Sequence, residues 1–369
     1  MKHTPSDYRF MARAIQLAEK GLYSTQPNPR VGCVIVADKR VVGQGYHRQA
    51  GGPHAEIHAL QQAGAAARGA TVYVSLEPCS HQGKTPPCAD ALIEAGVGRV
   101  ICAMLDPNPL VAGRGLEKLK LAGIETHCGL LQAEAEALNP GFIKRMKTGL
   151  PWVRLKLAMS LDGRTAMASG ESKWITGEHA RADVQKLRAR SSVVLTGSGT
   201  VRADNPSMNV RISARELGTE LAPFQPLRAV IDSELRIDAN SQILQLPGEC
   251  VVFCNTRTDA SDFKDGQVIV SPEKDGKIDL RAVMQWLAAR QANEVHVEAG
   301  SRLAGALLQQ RLVDEIIIYM APHIMGDAAM GLFHLPGLEK MSQRIDLEIQ
   351  QIRPIGKDWR MRARPLYKN

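Results

Sequence analysis

PHAEIHAL (53–60), read together with LEPCS (76–80) and TPPCAD (85–90), decides how the first half of this 369-residue chain folds. His54 to Ala67 has the character of a helix, TVYVSLE (71–77) that of a strand, and a second helix begins near Pro87, because proline suits a first turn. His54, Cys79 and Cys88 each lie at or near a predicted helix N-terminus. There the macrodipole and the free N–H groups favour the thiolate, the form that binds zinc. One histidine and two cysteines leave a fourth position for water, the mark of a catalytic rather than a closed structural zinc site.

Glu56 follows His54 by two residues, on an adjacent helical face, close to the metal without being obliged to bind it. A carboxylate in that place can take a proton from water and deliver it to a ring nitrogen and a departing amine. His-x-Glu followed by Pro-Cys and a second Cys is the signature of zinc-dependent nucleobase deaminases. One departure stands out: eight residues separate Cys79 from Cys88, where the generic signature has two.

Other readings of these residues are possible. His81 as a fourth ligand would close the site and leave Glu56 without a role. His54 and His58 at i and i+4 approach the metalloprotease pattern H-E-x-x-H, but Glu56 is shifted by one position, roughly 100° around a helix. Cys79 and Cys88 could also be unrelated core thiols. The remaining cysteines, Cys33, Cys102, Cys128, Cys250 and Cys254, sit in apolar strand patterns and are expected in the core.

Outward from this centre, Tyr8, Met11, Ala12, Ile15 and Ala18 recur at helical spacing, ahead of Gly21 as a C-cap. VGCVIVAD (31–38) and RVVGQGYH (40–47) form a hairpin around Asp38 and Lys39. RVICAML (99–105) is a strand, then come a Gly-rich loop, a helix to Ala122, the short strand IETHC and a closing helix from Leu130 to Met146. This alternation gives an α/β sandwich. Residues 147–151 are a linker between a domain of residues 1–147 and one of residues 151–369. The second domain opens with the strand WVRLKLAMS and continues with SVVLTG, LRAVIDS, CVVFCN, VIVS, EVHVEAG and EIIIYMAP. Leu280, Val283, Met284, Leu287 and Ala288 mark an amphipathic helix, and residues 207–226 are expected to be a long loop.

Composition narrows the class. Hydrophobic residues make up 44% and charged residues 23% of the chain, as in ordinary globular proteins. No run of apolar residues is long enough to span a bilayer, and MKHTPSDYRF lacks a signal-peptide core, so a cytoplasmic protein is expected. Seven cysteines without a secretion signal argue for reduced thiols rather than a disulfide framework. The net charge of +8 is spread along the chain, which favours phosphorylated small molecules over nucleic acid.

With these motifs assembled, the chain resembles the bifunctional riboflavin-biosynthesis deaminase/reductase family along nearly its whole length. QPNPRVGCVIV, GYHRQAGGPHAEIHAL, YVSLEPCSHQGKTPPC and DPNPLVAGRGL carry the resemblance in the first half. LKLAMSLDGRTAMASGESKWIT, TGSGTVRADNP and VEAGSRLAGALL carry it in the second. The long insert between the cysteines is the spacing that family has, although Lys84 stands where it has arginine.

The resemblance implies a cytidine-deaminase-like α/β/α sandwich followed by a dihydrofolate-reductase-like α/β domain. It also implies two consecutive reactions, on a diaminopyrimidinone bearing a phosphoribosylamino group: hydrolytic deamination at a Zn2+ site, then reduction of the ribosyl chain to ribityl with NADPH. Cofactor contacts carry over to Ala158, Trp174, Thr200, Asp204 and Ser233, and to Gly300, Ser301, Arg302, Leu303, Ala304, Gly305 and Ala306. Substrate contacts carry over to Ser172, Arg188, Met208, Arg211 and Glu298. Arg188 and Arg211 suit a phosphate clamp, because guanidinium forks match phosphate oxygens. Lys156, between Leu155 and Leu157 on a strand, would face Asp204 and assist protonation. A homodimer is expected from exposed strand edges. The rival readings are a nucleic-acid deaminase fused to an unrelated domain and a zinc-stabilised interaction module.

Overall fold

The computed structural model describes residues 3–80, 86–109, 111–255, 261–264, 266–274 and 276–367. His81 and Lys84 lie outside the described residues. The chain divides into two compact units, Met1–Gly149 and Leu150–Asn369.

The first unit runs α1 (Pro5–Glu19), β1 (Gly32–Ala37), β2 (Arg40–Tyr46), α2 (Ala55–Ala63), β3 (Thr71–Val74), α3 (Cys88–Glu94), β4 (Arg99–Cys102), α4 (Arg114–Leu121), β5 (Glu125–Cys128), α5 (Gln132–Leu138) and α6 (Pro140–Thr148). Its five strands are ordered β2-β1-β3-β4-β5. β1 is antiparallel to both β2 and β3, whereas β3, β4 and β5 are parallel. Cys33, Val34 and Ile35 are all fully buried, so successive side chains on opposite faces of β1 are both covered. Asp38 and Lys39 both take positive φ (48° and 61°), the conformation a two-residue hairpin turn of type I′ requires.

Helix α2 lies directly on the backbone of β2, and glycine makes the approach possible. A Cβ on Gly43 would fall 2.1 Å from the Ala59 carbonyl oxygen, and one on Gly45 would fall 2.5 Å from His58 Cβ. The sequence suggested one helix from His54 to Ala67. The structure ends α2 at Ala63, where Gly64 takes φ +52°, and Gly64–Ala67 form a 3-10 turn.

The closing helix expected from Leu130 to Met146 is two helices. Pro140 has no N–H to donate and restricts the residue before it, so α5 stops and α6 starts with proline in its first turn. Asn139, between them, bonds the Arg30 backbone both ways: Arg30 N–H donates to Oδ1 (2.8 Å) and Nδ2 donates to the Arg30 carbonyl (2.9 Å). Lys147 and Thr148, read as linker, belong to α6, and Gly149 caps it in the left-handed conformation.

The second unit comprises β6 (Trp152–Ser160), β7 (Arg164–Ala166), α7 (Glu178–Ala189), β8 (Val193–Gly197), α8 (Ser198–Asp204), α9 (Ala214–Leu217), β9 (Leu227–Ile231), α10 (Gln242–Gln245) and β10 (Cys250–Cys254). There follow β11 (Val268–Val270), β12 (Glu273–Lys274), β13 (Lys277–Ile278), α11 (Leu280–Ala289), β14 (Glu294–Glu298), α12 (Ser301–Gln309), β15 (Glu315–Ala321), β16 (Met330–Gly331), β17 (Asp346–Ile355) and β18 (Asp358–Leu366). Nine strands form one sheet in the order β11-β10-β9-β8-β14-β6-β15-β18-β17. It is parallel from β11 to β15, and β18 and β17 complete it antiparallel. The segment 207–226, expected to be a loop, holds the single turn α9.

Alternation along β6 and β14 sorts two chemistries onto two faces. Val153, Leu155, Val295 and Val297 enter the main core. Arg154, Glu294 and His296 are equally buried on the other face. Arg154 is paired there with Glu294 (Nη2, 2.9 Å) and Glu315 (Nε, 2.6 Å), as a buried guanidinium requires an opposite charge.

Candidate active sites

In the first unit, the turns that open two helices converge. His54 is the N-cap of α2, and Glu56 is the second residue of that helix. Cys88 opens α3 immediately after Pro87. Cys79 heads no helix of its own, contrary to the sequence reading, but the first N–H groups of α3 reach it: that of Cys88 donates to Cys79 Sγ (3.3 Å) and that of Ala89 to the Cys79 carbonyl (3.1 Å).

His54 Nδ1 lies 3.2 Å from Cys88 Sγ and 3.6 Å from Cys79 Sγ. The three donor atoms all lie within 4.8 Å of one another. Donors about 2.0–2.3 Å from a tetrahedral zinc stand roughly 3.3–3.8 Å apart, so the cluster fits that ion in donor chemistry and in spacing. Among the described residues it has three members, His54, Cys79 and Cys88. His58, the second histidine of the metalloprotease-like pattern, is not one of them; its Cβ packs toward Gly45.

The two sulfurs are unlike. A hydrogen bond from the Cys88 thiol lowers the Cys79 thiol, and the same bond with burial pushes Cys88 up. Glu56 is 3% exposed. Burial pushes its carboxyl up to about 7, against the pull of His54.

His47 and Asn28 complete the surroundings; Asn28, with Pro29, suits a deaminase from sequence alone, whereas the sequence gives His47 no role. The His47 ring stands edge-on to His54 with centroids 5.2 Å apart. Its Nδ1 is 3.1 Å from the Pro53 carbonyl, and its Nε2 is 3.0 Å from Asn28 Nδ2. These partners fix Nδ1 as the donor and Nε2 as the acceptor, and burial lowers the imidazole to about 4, so it is neutral. For His47 the only signal in sequence was a polar residue ending an otherwise apolar hairpin. Of the cysteines expected in the core, Cys33, Cys102, Cys250 and Cys254 are buried, but Cys128 is exposed, because β5 is an edge strand.

In the second unit, the structure brings Arg188, Met208 and Glu298 together. Arg188, buried on α7, donates Nε to Glu298 Oε1 (2.5 Å) and Nη2 to Oε2 (3.0 Å), with Nη1 on the Asn209 carbonyl (3.1 Å) and Nη2 against Met208 Sδ (3.6 Å). Glu298 and the Asn209 carbonyl occupy that fork in this structure. Arg211 is exposed, bonded to Ser207 and to Asn209 Oδ1. Lys156 faces Glu298 and Arg188 electrostatically, and its ammonium lies 5.9 Å from the Tyr319 ring centroid. Asp204, expected beside it, pairs instead with Lys173 (3.6 Å).

The expected cofactor positions fall on several elements. Thr200 and Asp204 lie on α8, which shows the Gly197–Thr200 run to be a helix start rather than a bare turn. Ala158 is on β6, and the Ser233 carbonyl accepts from Asn255 N–H (3.2 Å). Trp174 is 72% exposed with the Arg181 guanidinium 4.7 Å over its ring; Ser172 is half-buried nearby in sequence. Gly300 caps α12, whose first residues Ser301, Arg302 and Leu303 follow β14 directly and suit a cofactor phosphate. Ala304 and Gly305 do not face outward: Ala304 is fully buried, and a Cβ on Gly305 would fall 1.9 Å from the His334 carbonyl oxygen. Ala306 is partly buried against the main core.

Comparison with known proteins settles the family. The chain is 53% identical to the riboflavin biosynthesis protein RibD of Escherichia coli over 95% of its own length and 97% of that protein. It belongs to the RibD family. The RibD protein of Haemophilus influenzae is 49% identical over 99% of both chains. Residues 4–104 match the cytidine and deoxycytidylate deaminase zinc-binding region, and residues 151–361 match the RibD C-terminal domain. The structure of Acinetobacter baumannii RibD superimposes with a TM-score of 0.90 at 46% identity, covering 98% of this chain and 99% of that one. A Thermotoga maritima structure described as a diaminohydroxyphosphoribosylaminopyrimidine deaminase/5-amino-6-(5-phosphoribosylamino)uracil reductase does so at 0.86 and 32% identity, covering 98% and 99%. The fold of RibD proteins, a cytidine-deaminase-like unit followed by a reductase unit, is thus the fold of this chain.

Proposed function

We propose that the chain is a bifunctional enzyme of riboflavin biosynthesis in which residues 1–147 deaminate 2,5-diamino-6-(5-phosphoribosylamino)pyrimidin-4(3H)-one and residues 151–369 reduce the product's ribosyl chain to ribityl. The observation that carries this is the convergence of His54, Cys79 and Cys88 beside the buried Glu56, in a chain whose other half matches the RibD C-terminal domain.

Zinc, when bound by His54, Cys79 and Cys88, supplies Lewis-acid activation of water at neutral pH. Glu56 takes one proton from the attacking water and passes it to the ring nitrogen, then takes the second from the hydroxyl now on the ring carbon and gives it to the departing amine, which leaves as ammonia with a carbonyl behind it. Its burial keeps that carboxylate out of bulk water and on one path. His47 holds the Pro53 carbonyl, the residue before His54, and so sets the ligand's approach.

Residues of α8 and the start of α12 would hold NADPH, which would supply the hydride for the second reaction. One hydride on the sugar carbon and one proton on the former ring oxygen convert ribosyl to ribityl, and Lys156 gives that proton. Arg211 holds the substrate phosphate, with Ser172 and Met208 lining the same side, while Arg188 keeps the Glu298 carboxylate in one orientation. No helix among the described residues is long and apolar enough to cross a membrane. A homodimer through the β17–β18 edge is supported by the exposure of Leu347, Ile349, Ile352 and Trp359 there.

The test is to incubate the zinc-loaded protein with that diaminopyrimidinone and follow ammonia, with and without NADPH. Ammonia release without NADPH, then NADPH oxidation only after deamination, is the expected result. No ammonia release with zinc bound would overturn the substrate assignment. A steep salt dependence of RNA binding would favour the nucleic-acid deaminase instead.

A further inference from the structure

The motif DPNPLVAGRGL takes no part in the chemistry above, yet it is tied to the metal-ligand segment by one side chain. Glu77, two residues before Cys79, is 3% exposed. Its Oε2 accepts the backbone N–H groups of Asp106 (3.1 Å) and Gly113 (2.9 Å), and its Oε1 accepts those of Gly115 (2.9 Å) and Leu116 (3.4 Å). Its own N–H donates to the Met104 carbonyl (3.0 Å). From the other side, Gly115 presses on the same segment: a Cβ there would fall 2.0 Å from the Pro78 carbonyl oxygen and 3.1 Å from Glu77 Oε1.

We infer that Glu77 is a positioning residue of the deaminase site, which locks Asp106 and residues 113–116 against the Pro78–Cys79 peptide and thereby fixes where the Cys79 sulfur points. The inference rests on the reading of His54, Cys79 and Cys88 as the zinc ligands.

The chemistry of the contact explains why a carboxylate is required. Both oxygens accept two N–H groups each, so four backbone donors, those of the buried Asp106 and Gly115 among them, are satisfied by one side chain. Glutamine has the same shape but offers an acceptor on one side only. Whichever way its amide is turned, an NH2 group meets two backbone N–H donors: Asp106 and Gly113 in one orientation, Gly115 and Leu116 in the other. Asp106 and the start of α4 then lose their anchor, and the Pro78–Cys79 peptide loses the surface it is pressed against. The side chain acts through hydrogen-bond geometry and needs no proton exchange. Groups that orient ligands from behind typically matter about 10–100-fold in metal affinity or activity.

The experiment compares full-length wild type with Glu77→Gln and Gly115→Ala. It measures zinc per folded chain, the rate of zinc release to a chelator, deaminase kcat and KM per bound zinc, and reductase activity on the deaminated substrate. Glu77→Gln should release zinc about tenfold faster and lower kcat about tenfold per bound zinc, with KM changed less than threefold and reductase activity unchanged. Gly115→Ala, which forces the Pro78 carbonyl to move, should reproduce the faster release; it carries the test if Glu77→Gln fails to fold. A merely structural role would lower the yield of folded chain while leaving zinc release and kcat per bound zinc at wild-type values. That outcome overturns the inference. Wild-type chain that binds no zinc would instead overturn the ligand reading, and with it this inference.

Discussion

Arg188 and Glu298 come from α7 and β14, 110 residues apart in sequence, and meet through two parallel N–H···O contacts at 2.5 and 3.0 Å. Both side chains are about nine-tenths buried. Removing one member of such a pair strands the other charge, which costs about 3–5 kcal/mol. Arg188→Ala should therefore destabilise the reductase unit by about that amount, read from the shift of its denaturant transition. A loss below about 1 kcal/mol would show that the pair is not holding this layer together.

The same pair sets an acid limit. Burial pushes the Glu298 carboxyl up, but Arg188 and His296 outweigh it and hold the group well below the usual carboxylate range. A carboxylate with a lowered folded-state pKa contributes stability that is fully present above its unfolded value, about 4.3, and is lost as pH falls through the folded value. Unfolding of the wild type should become easier as pH drops below about 4. In Glu298→Gln that part of the pH dependence should be missing, which acid titration of the unfolding midpoint would show.

Chelation should separate the two activities. Stripping zinc with dipicolinate should abolish ammonia release while NADPH oxidation with the deaminated substrate continues. Cys88→Ser should behave likewise, because Cys88 lies within the cluster of the first unit. Loss of both activities in the chelated protein would count against separate sites.

Glu56→Gln keeps the shape of the side chain and removes its basicity. Deaminase kcat should fall about 100- to 10,000-fold with zinc content unchanged. A smaller loss would assign the proton transfers to another group.

Gly45→Ala tests the seat of α2. The added Cβ would meet His58 Cβ at 2.5 Å and the Ala55 carbonyl oxygen at 2.7 Å, so the helix carrying Glu56 must move away from β2. A stability loss of about 1–3 kcal/mol is expected from such overpacking, with a larger proportional loss of deaminase than of reductase activity. Equal losses would mean that the displacement is not confined to the first unit.

The metal cluster was legible in the sequence because its members lie within short, chemically distinctive motifs, those of His54 and Cys88 at helix starts. Strands such as Trp152–Ser160 were legible because they are buried on both faces. Helix α7 was not, for a physical reason: its buried face includes Ala180, Asp183 and Arg188, which pack on the polar side of the sheet and leave a weak apolar period. The β17–β18 hairpin was missed because most of its residues are exposed and a bulge between Ile349 and Gln351 breaks its alternation. The break at Asn139 could have been read from Pro140. Glu77 could not have been read as an anchor, since the four N–H groups it receives lie 29–39 residues further along the chain.

The Arg154–Glu315 bridge joins residues 161 positions apart, and Arg154 sits on the first strand of its sheet. A chain emerging from the ribosome therefore holds β6 for most of the length of the second unit before β14 and β15 arrive to flank it. Until then the Arg154 guanidinium has neither carboxylate, and the central sheet cannot close. The earlier unit, in which Arg30 and Asn139 are tied across 109 residues, can complete its core while the later one is still being made. Long-range pairing of this kind slows folding, so the second unit is the part whose nascent form depends longest on protection from aggregation.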